Sequence, residues 1–344
     1  MNRIPVAIIG LGQACEPHAR SLLDLAGRVE VRHAASRSAE RTRAFAQRFA
    51  FPTTTDIDAV IADPGIRAVF VLTPPNAHLE VAERCLRAGK AVLVEKPLDV
   101  SLDRAERLVA AARRAERTLG VVLQHRFRPA SLRLREILAA GRLGRVEAAS
   151  MTVPWWRPQS YYDEPGRGTV SRDGGGVLLT QAIHTLDLFR SLLGVSEVTA
   201  AQVTTTGLHT METEDYASAL VRLGDGAPGT ILATTSAYPG APERIEIIGS
   251  SGTAALVGSG LRVAYLDGGH EEVEAEARTG AGANIMDFPH ESHRALIEDF
   301  LDAVAQGREP QVTGEEALAT QRLIEAILNK GGFRPSRVGG AGTA

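Results

Sequence analysis

Apolar residues in the first 125 positions fall into short runs separated by longer amphipathic stretches. Ile4–Ile9, Val29–Ala35, Ala68–Leu72, Ala91–Val94 and Gly120–Leu123 read as strands. Between and after them, Ala14–Leu25, Ala39–Phe49, Ala77–Ala88, Leu102–Arg117 and Ala130–Ala140 place apolar residues three and four apart, the spacing of one helix face. Strands that alternate with helices predict a parallel sheet with crossovers. The run Ala91-Val92-Leu93-Val94 is apolar at every position, as a strand covered on both faces requires.

The pattern then changes. Gly141 to Arg145 ends a helix and leads into a strand over Val146–Val153. A loop, Pro154–Arg172, and one helix, Gly176–Leu193, follow. Val198–Thr206, Tyr216–Arg222, Thr230–Ser236, Arg244–Ile248, Thr253–Val257 and Leu261–Leu266 show strand alternation between glycine-containing turns, and helices over Glu291–Ala305 and Gly314–Leu328 close the chain. Consecutive strands with short turns predict a mainly antiparallel sheet. The expected architecture is therefore α/β. A doubly wound parallel sheet spans residues 1–125, an α+β domain with an open, mainly antiparallel sheet spans 126–330, and residues 331–344 form a flexible Gly- and Arg-rich tail.

Composition narrows the class. The 344 residues are 44% hydrophobic and 23% charged, which suits globular domains, and a net charge of −3 gives no global field for nucleic acid or an anionic membrane. Cys15 and Cys85 make no disulfide framework, so a reduced, cytoplasmic protein is expected. The apolar run Ile4–Ile9 stops at Gly10, too short for a signal-peptide core or a membrane span.

Chemistry concentrates at strand ends. Gly10-Leu11-Gly12-Gln13-Ala14 follows the first strand and opens a helix, a turn in which backbone can approach a pyrophosphate at the helix N-terminus. Cys15 stands where the third glycine of the usual fingerprint falls. The second strand ends in Ser36-Arg37-Ser38, with Arg41 one turn on, in place of the carboxylate that would hold both ribose hydroxyls. A hydroxyl and arginine planes suit a 2′-phosphate, so NADP(H) is the preferred cofactor and NAD(H) stays admissible. Glu95-Lys96-Pro97 follows the buried strand Ala91–Val94, where open α/β sheets bind ligands. Pro97 excludes Lys96 from the helical region and permits a cis bond. Lys96 can then direct its ammonium into the crevice.

Three features occur together: Gly10-x-Gly12 with His18, Thr73-Pro74-Pro75-Asn76-x-His78, and Glu95-Lys96-Pro97. The combination resembles the Gfo/Idh/MocA family, named for glucose–fructose oxidoreductase, inositol dehydrogenase and a rhizopine catabolism protein. The resemblance extends through Asp173-Gly174-Gly175-Gly176 to His184-Thr185-Leu186-Asp187 and the closing helices. It implies a Rossmann domain that holds nicotinamide over the open face of a C-terminal sheet, with substrate between. Lys96 would bind the reacting oxygen and His184 would act as acid/base. Glu95 would contact the nicotinamide side or orient Lys96. Leu72, Thr73, Pro74, Asn76, His78 and Gln124 would line the cofactor. Relatives often carry Asp four residues before this histidine, and here that residue is Thr180. Thr180 and Gln181 become candidate substrate contacts, and Asp187 a candidate partner for the His184 ring or an anchor of its helix.

The loop Trp155 to Asp163, with Arg167, resembles that of members acting on hexoses and nucleotide-linked aminouronates. Trp156, Arg157, Tyr162 and Arg167 are its candidate substrate contacts, together with Arg126 of the Gln124-His125-Arg126 stretch. His209, His270, His290 and His293 show no metal-ligand spacing, and no metal is expected. The reading is an NADP(H)-preferring oxidoreductase acting on a sugar, sugar derivative or polyol, a homodimer or homotetramer through the C-terminal sheet. The alternative is a catalytically idle NADP-binding sensor of the same family.

Overall fold

The computed structural model describes residues 3–275 and 289–335, and the part of the expected tail beyond residue 335 lies outside the described residues. The chain divides into two compact units, Met1–Gln124 with Pro289–Ala319, and His125–Phe288 with Thr320–Ala344.

The first unit runs β1 (Ile4–Ile9), α1 (Cys15–Asp24), β2 (Val29–Ala35), α2 (Ala39–Arg48), β3 (Thr53–Thr54), α3 (Ile57–Ala62), β4 (Ala68–Val71), α4 (His78–Arg87), β5 (Ala91–Val94), α5 (Leu102–Ala115) and β6 (Leu119–Val121). Its six strands lie in the order β3-β2-β1-β4-β5-β6, all parallel. β4 and β5 are buried at every position, which is why their sequences are unbroken apolar runs. Successive strands step one way from β1 to β3 and the other way from β4 to β6. The sheet therefore switches direction between β1 and β4, and a crevice opens at their carboxyl ends. Ser38, Asp56 and Ser101 cap α2, α3 and α5, each side chain accepting from the backbone N–H three residues on.

The second unit runs α6 (Pro129–Ala139), β7 (Val146–Pro154), α7 (Gln159–Tyr162), α8 (Val170–Asp173), α9 (Val177–Thr180), α10 (Ile183–Leu193), β8 (Val195–Thr204), β9 (Tyr216–Leu223), β10 (Pro228–Thr234), β11 (Arg244–Gly249), β12 (Gly252–Val257), β13 (Gly260–Tyr265) and β14 (His270–Val273). The eight strands lie in the order β14-β13-β12-β11-β7-β10-β9-β8. Only β7 and β10 pair in parallel. Met151, Val153, Ile231, Ala233, Ile245, Ile247, Ala254 and Leu256 are buried on one face, while Leu220, Thr230 and Ile248 are exposed on the other. That alternation is the signature of a sheet covered on one side.

The single helix expected over Gly176–Leu193 is two helices. The Ala182 N–H bonds the Val177 carbonyl five residues back (2.8 Å), a π-type turn between α9 and α10. The start of α9 is pinned from outside. The Glu214 carboxylate accepts from Gly176 N and Leu178 N (3.0 and 3.1 Å), and the Glu214 carbonyl accepts from Val177 N (2.8 Å). A Cβ at Gly176 would collide with that same carbonyl. The short β3, α3 and β14 were not expected from the sequence.

The chain returns to the first unit with α11 (Glu291–Gln306), and the division between the units falls within α12 (Gly314–Lys330). In the first unit α11 packs along α1 and places Phe300 edge-on to Phe70 of β4. Among the described residues no helix is long and apolar enough to cross a membrane.

Candidate active site

In the first unit β1 delivers Gly10 to the switch point with φ +111°, and a Cβ there would strike the Leu72 carbonyl. Only glycine fits this close crossing of two strand ends. A Cβ on Gly12, by contrast, would meet nothing within 4 Å. The turn therefore presents open backbone at the start of α1, and Ala14 supplies no capping side chain to compete for its first N–H groups. That cradle fits a pyrophosphate. Cys15, in the third glycine's place, is buried, and burial followed by the neighbouring Glu95 charge pushes its thiol up to about 12. It is a packing residue.

At the end of β2, Ser36 is buried and its hydroxyl accepts from Ser38 N (3.3 Å), while the Ser38 hydroxyl caps α2. Arg37 and Arg41 are exposed. Among the described residues their side chains make no hydrogen bond or ion pair, whereas Arg28, Arg32 and Arg48 on the same unit are each paired with a carboxylate.

After β4, Leu72 stays buried and its N–H bonds Ile9 O (2.7 Å). Thr73 and Pro74 lead into a 3-10 turn, Pro75–Ala77. His78 lies beneath it, fully buried, with Nε2 against Thr73 O (2.8 Å) and Nδ1 against Pro97 O (2.9 Å). Burial holds this ring below the ordinary histidine range despite those two carbonyls. His78 thus ties the loop after β4 to the loop after β5. Asp99, also fully buried, accepts from Leu79 N, Val100 N and the Arg104 guanidinium and fastens the same loop from its other end.

Between these anchors stand Glu95 and Lys96, with the Lys96–Pro97 bond cis. Glu95 N bonds Val71 O (2.9 Å), one Glu95 oxygen accepts from Lys96 N (3.0 Å), and the other meets His18 Nε2 (2.8 Å). Burial works against a charged Glu95. The His18 hydrogen bond and the nearby charges of His18, Lys96 and His293 outweigh it and hold the carboxyl below its usual range. His293 of α11 sits edge-on to His18, ring centroids 5.3 Å apart. One donor atom each from His18, Glu95 and His293 lies within 4.8 Å of the others, close enough to share a metal ion. However, among the described residues His18 Nδ1 has no hydrogen-bond partner, so a metal at Nε2 would lack the outer-sphere acceptor that ligating histidines use. The Glu95 hydrogen bond accounts for His18, and His293 packs edge-on against that ring. Gln124 ends this unit, half-buried just after β6.

In the second unit His184 occupies the first turn of α10 and is buried. Asp187, the expected same-helix partner for its ring, has both oxygens engaged by other groups. The Thr180 hydroxyl donates back to Gly176 O (2.7 Å) and contacts the Gln181 side chain. Both Asp187 oxygens are engaged, by Arg126 Nε and Nη2 (2.6 and 2.7 Å) and by Thr320 Oγ (2.8 Å). Asp187 therefore anchors α10, and Arg126 is its bidentate partner. The ring beside His184 is that of His125, centroids 4.9 Å apart and planes 31° from parallel. Gln181 Nε2 reaches the Tyr161 hydroxyl at 3.5 Å.

The aromatic loop lies in the same unit. Arg157 is among the largest fully buried side chains, its guanidinium 5.2 Å from the Trp155 ring centre. Arg167 lies over Tyr161 at 4.2 Å and donates to its hydroxyl (2.7 Å). Tyr162 bonds Thr235 (2.7 Å), and burial pushes its hydroxyl up. Trp156 meets Tyr238 edge-on, centroids 5.5 Å apart. Beneath the loop, His209 Nδ1 meets Asp215 (2.6 Å) and Nε2 meets the Arg157 carbonyl (2.8 Å). Burial disfavours its charge, but Asp215 and that carbonyl outweigh it and hold the ring above the ordinary range. Sequence reading missed His125, His209, Glu214, Asp215 and His293 as parts of the arrangement. Their partners are remote in the chain, so no local spacing marks them.

A glycine cradle at a parallel-sheet switch point, with a lysine held two strands along at the end of β5, suits a nucleotide-dependent enzyme. Comparison with known proteins places it further. Residues 4–123 match the domain described as "Oxidoreductase family, NAD-binding Rossmann fold" (GFO_IDH_MocA). Residues 131–255 match the "GFO/IDH/MocA C-terminal domain". The chain belongs to the Gfo/Idh/MocA oxidoreductase family. It is 29% identical over 285 residues to inositol 2-dehydrogenase of Rhizobium meliloti (strain 1021), covering 79% of this chain and 80% of that one. It is 26% identical to the NAD(+)-dependent scyllo-inositol 2-dehydrogenase of Bacillus subtilis (strain 168), over 95% of this chain and 94% of that one. Among solved structures, the WlbA dehydrogenase of Bordetella pertussis in complex with NADH and UDP-GlcNAcA superposes with a TM-score of 0.81 at 26% identity, covering 96% of this chain and 97% of that one.

Proposed function

We propose that this chain is an NADP(H)-preferring oxidoreductase acting on the hydroxyl-bearing or keto carbon of a sugar, a sugar derivative (nucleotide-linked ones included) or a polyol. The observation that carries the reading is Lys96, held at the end of β5 by Glu95, His78 and Asp99 in the same unit as the glycine cradle. Bound cofactor supplies or takes the hydride. Gly10 and Gly12 leave its pyrophosphate room at the start of α1. Ser36, Arg37 and Arg41 would hold the 2′-phosphate, supported by the two arginine side chains that are exposed and unpaired among the described residues. Lys96 would donate to the reacting oxygen and stabilise alkoxide character there. His184 would take the hydroxyl proton, a task suited to an imidazole near neutrality. The inositol dehydrogenases and the UDP-sugar dehydrogenase among the relatives support the alcohol class.

The cofactor half of the reading is tested by calorimetric titration of NADPH and NADH into the wild-type chain and the Arg37→Ala/Arg41→Ala variant. A wild-type preference for NADPH of tenfold or more, about 1.4 kcal/mol, that disappears in the variant supports it. Equal or tighter NADH binding by the wild type overturns the NADP preference.

The exposed face of the eight-stranded sheet, with Leu220 and Ile248 about half exposed, is proposed as a self-association surface. Light scattering should show a dimer or tetramer that Leu220→Asp with Ile248→Asp dissociates. The two buried free cysteines support a reducing, cytoplasmic setting.

A further inference from the structure

We infer that His209 is the positioning residue of the aromatic loop, and that it works as an imidazolium whose two ring N–H groups clamp the entry to α7. The consequence for catalysis rests on the proposed reading of that loop as a substrate contact, while the clamp itself stands on the second unit alone. His209 lies in the loop between β8 and β9, buried, and both of its ring nitrogens face groups that only accept. Nε2 meets the Arg157 carbonyl at 2.8 Å, and Nδ1 meets Asp215 Oδ2 at 2.6 Å. A carbonyl oxygen has no proton to give. Asp215 has none either, because its carboxylate also accepts from Thr206 N (2.7 Å), Thr206 Oγ (2.6 Å) and Ser236 Oγ (2.8 Å). Burial opposes that charge, but the hydrogen bonds from His209, Thr206 and Ser236 outweigh it and hold the carboxyl below its usual range. A buried ring between two acceptors is satisfied only when each nitrogen carries a hydrogen.

Backbone bonds from Trp155 N to Thr234 O, Arg157 N to Thr235 O and Ala237 N to Trp155 O carry the β7–β10 pairing on through both tryptophans. That ladder stops at Arg157, whose carbonyl goes to His209. Two residues on, the Gln159 side chain accepts from Thr210 N (2.8 Å) and donates to Thr210 O (3.3 Å). Adjacent residues His209 and Thr210 thus hold the turn from the strand into α7, which carries Tyr161 and Tyr162. The His209 ring also lies beside the rings of Tyr162 and Trp156, centroids 4.8 and 6.1 Å away, within reach for a cation. When the proton is lost, Asp215 keeps the remaining N–H at Nδ1, and Nε2 turns a lone pair toward the Arg157 carbonyl. Lone pair repels lone pair, and the clamp opens at Arg157. The folded ring binds its proton more tightly than an unfolded one, so the clamp is complete below the ordinary histidine range and is lost as pH rises through the raised value.

The other charged and titratable groups on the elements around the ring are engaged elsewhere. Arg157 lays its guanidinium near the Trp155 and Tyr161 rings and donates to Trp156 O (2.8 Å). On α7 and after it, Tyr162 bonds Thr235, Asp163 accepts from Gln159, and Arg167 and Arg172 close on Glu164. Asp173 accepts from Gly168 N, Glu212 from Val170 N, and Glu214 from the start of α9. Tyr216 opens β9, and Tyr238 is exposed against Trp156. Among the described residues Asp215 is the charge at hydrogen-bond distance from the His209 ring.

The chain's two tryptophans, Trp155 and Trp156, both lie in this loop, so tryptophan emission reports on it alone. The test is a pH titration of the full chain, labelled with ¹⁵N at histidine and assigned with His209→Phe, read by NMR and by acrylamide quenching of that emission. At neutral pH the His209 ring should carry hydrogen on both nitrogens, and its single titration step should fall above 6.5, the ordinary value for histidine. Quenching should rise by about twofold or more through the same step, as one hydrogen bond is lost. In His209→Phe it should be high throughout, with no step. Asp215→Asn, which removes the counter-charge, should weaken the proton affinity of His209 by about tenfold or more. A wild-type ring with one protonated nitrogen at neutral pH overturns the proposal, as does quenching that stays flat while His209 titrates. Both overturning results are read on the wild type and do not depend on either variant folding. No substrate enters the measurement, so a chain that turns over no alcohol would sink the proposed function and leave the clamp standing.

Discussion

The turn at Glu95–Lys96 and the start of α10 at His184 hold their side chains in opposite ways. The first starts from its own neighbourhood, with His18 and the His78 contact to Pro97 O added from elsewhere in its unit. A buried strand delivers it, Pro97 follows it, and Glu95 bonds the N–H of the next residue. The second is assembled from a distance. His125 and Arg126 come from the turn after β6, Thr320 from α12, and Glu214, from the loop before β9, fixes the helix that precedes it. A strand end is a fixed platform because its backbone bonds are already made within the sheet. A helix start inherits its position from whatever packs on it, so the placement of His184 depends on side chains that carry no motif.

The largest effect is expected at Asp187. Asp187→Ala leaves Arg126 buried without its carboxylate, and loss of one partner of a buried pair costs about 3–5 kcal/mol. Urea unfolding should show that loss. A cost under about 1 kcal/mol would mean that the pair does not hold the second unit's site together.

Glu214 sharpens the same point through pH. Burial, against the opposing backbone hydrogen bonds at Gly176 and Leu178, raises its carboxyl to about 7. A carboxyl raised on folding binds its proton more tightly in the native state. Its contribution is therefore complete below pH about 4.5 and is lost as pH rises through about 7, at about 1.4 kcal/mol per unit of difference. Glu214→Gln should remove this slope, so the stability gap between wild type and variant changes between pH 5 and pH 8. A gap independent of pH would contradict it. The smallest effect is expected from a local device in the first unit. Asp56→Ala deletes the cap of α3 and should cost about 1 kcal/mol while leaving cofactor binding unchanged.

The first unit was legible because each of its signals is short-range. Four-residue apolar runs, glycines after a strand and a proline after a lysine all act on neighbouring backbone. The absence of a carboxylate after β2 was equally readable, and the structure adds that Arg37 and Arg41 are exposed there. The second unit was legible as strands, since alternation reports one covered face. Its site was less so. The break between α9 and α10 is driven by Glu214, far along the chain, so Thr180 no longer sits one regular turn before His184. Nothing local marks His209, whose Asp215 and Arg157 partners meet it only in the fold. The return of α11 to bring His293 beside His18 was likewise hidden, because an amphipathic helix does not state which surface it will cover.

Lys96 is proposed to work on the reacting oxygen of an alcohol substrate. The direct measurement is turnover of wild type and Lys96→Ala with NADP⁺ and NAD⁺ against a panel of inositols, hexoses and UDP-linked sugars, with cofactor affinity measured on the same preparations. The variant should bind cofactor as the wild type does and lose turnover by about 10²–10³-fold. Undiminished turnover in the variant would contradict it.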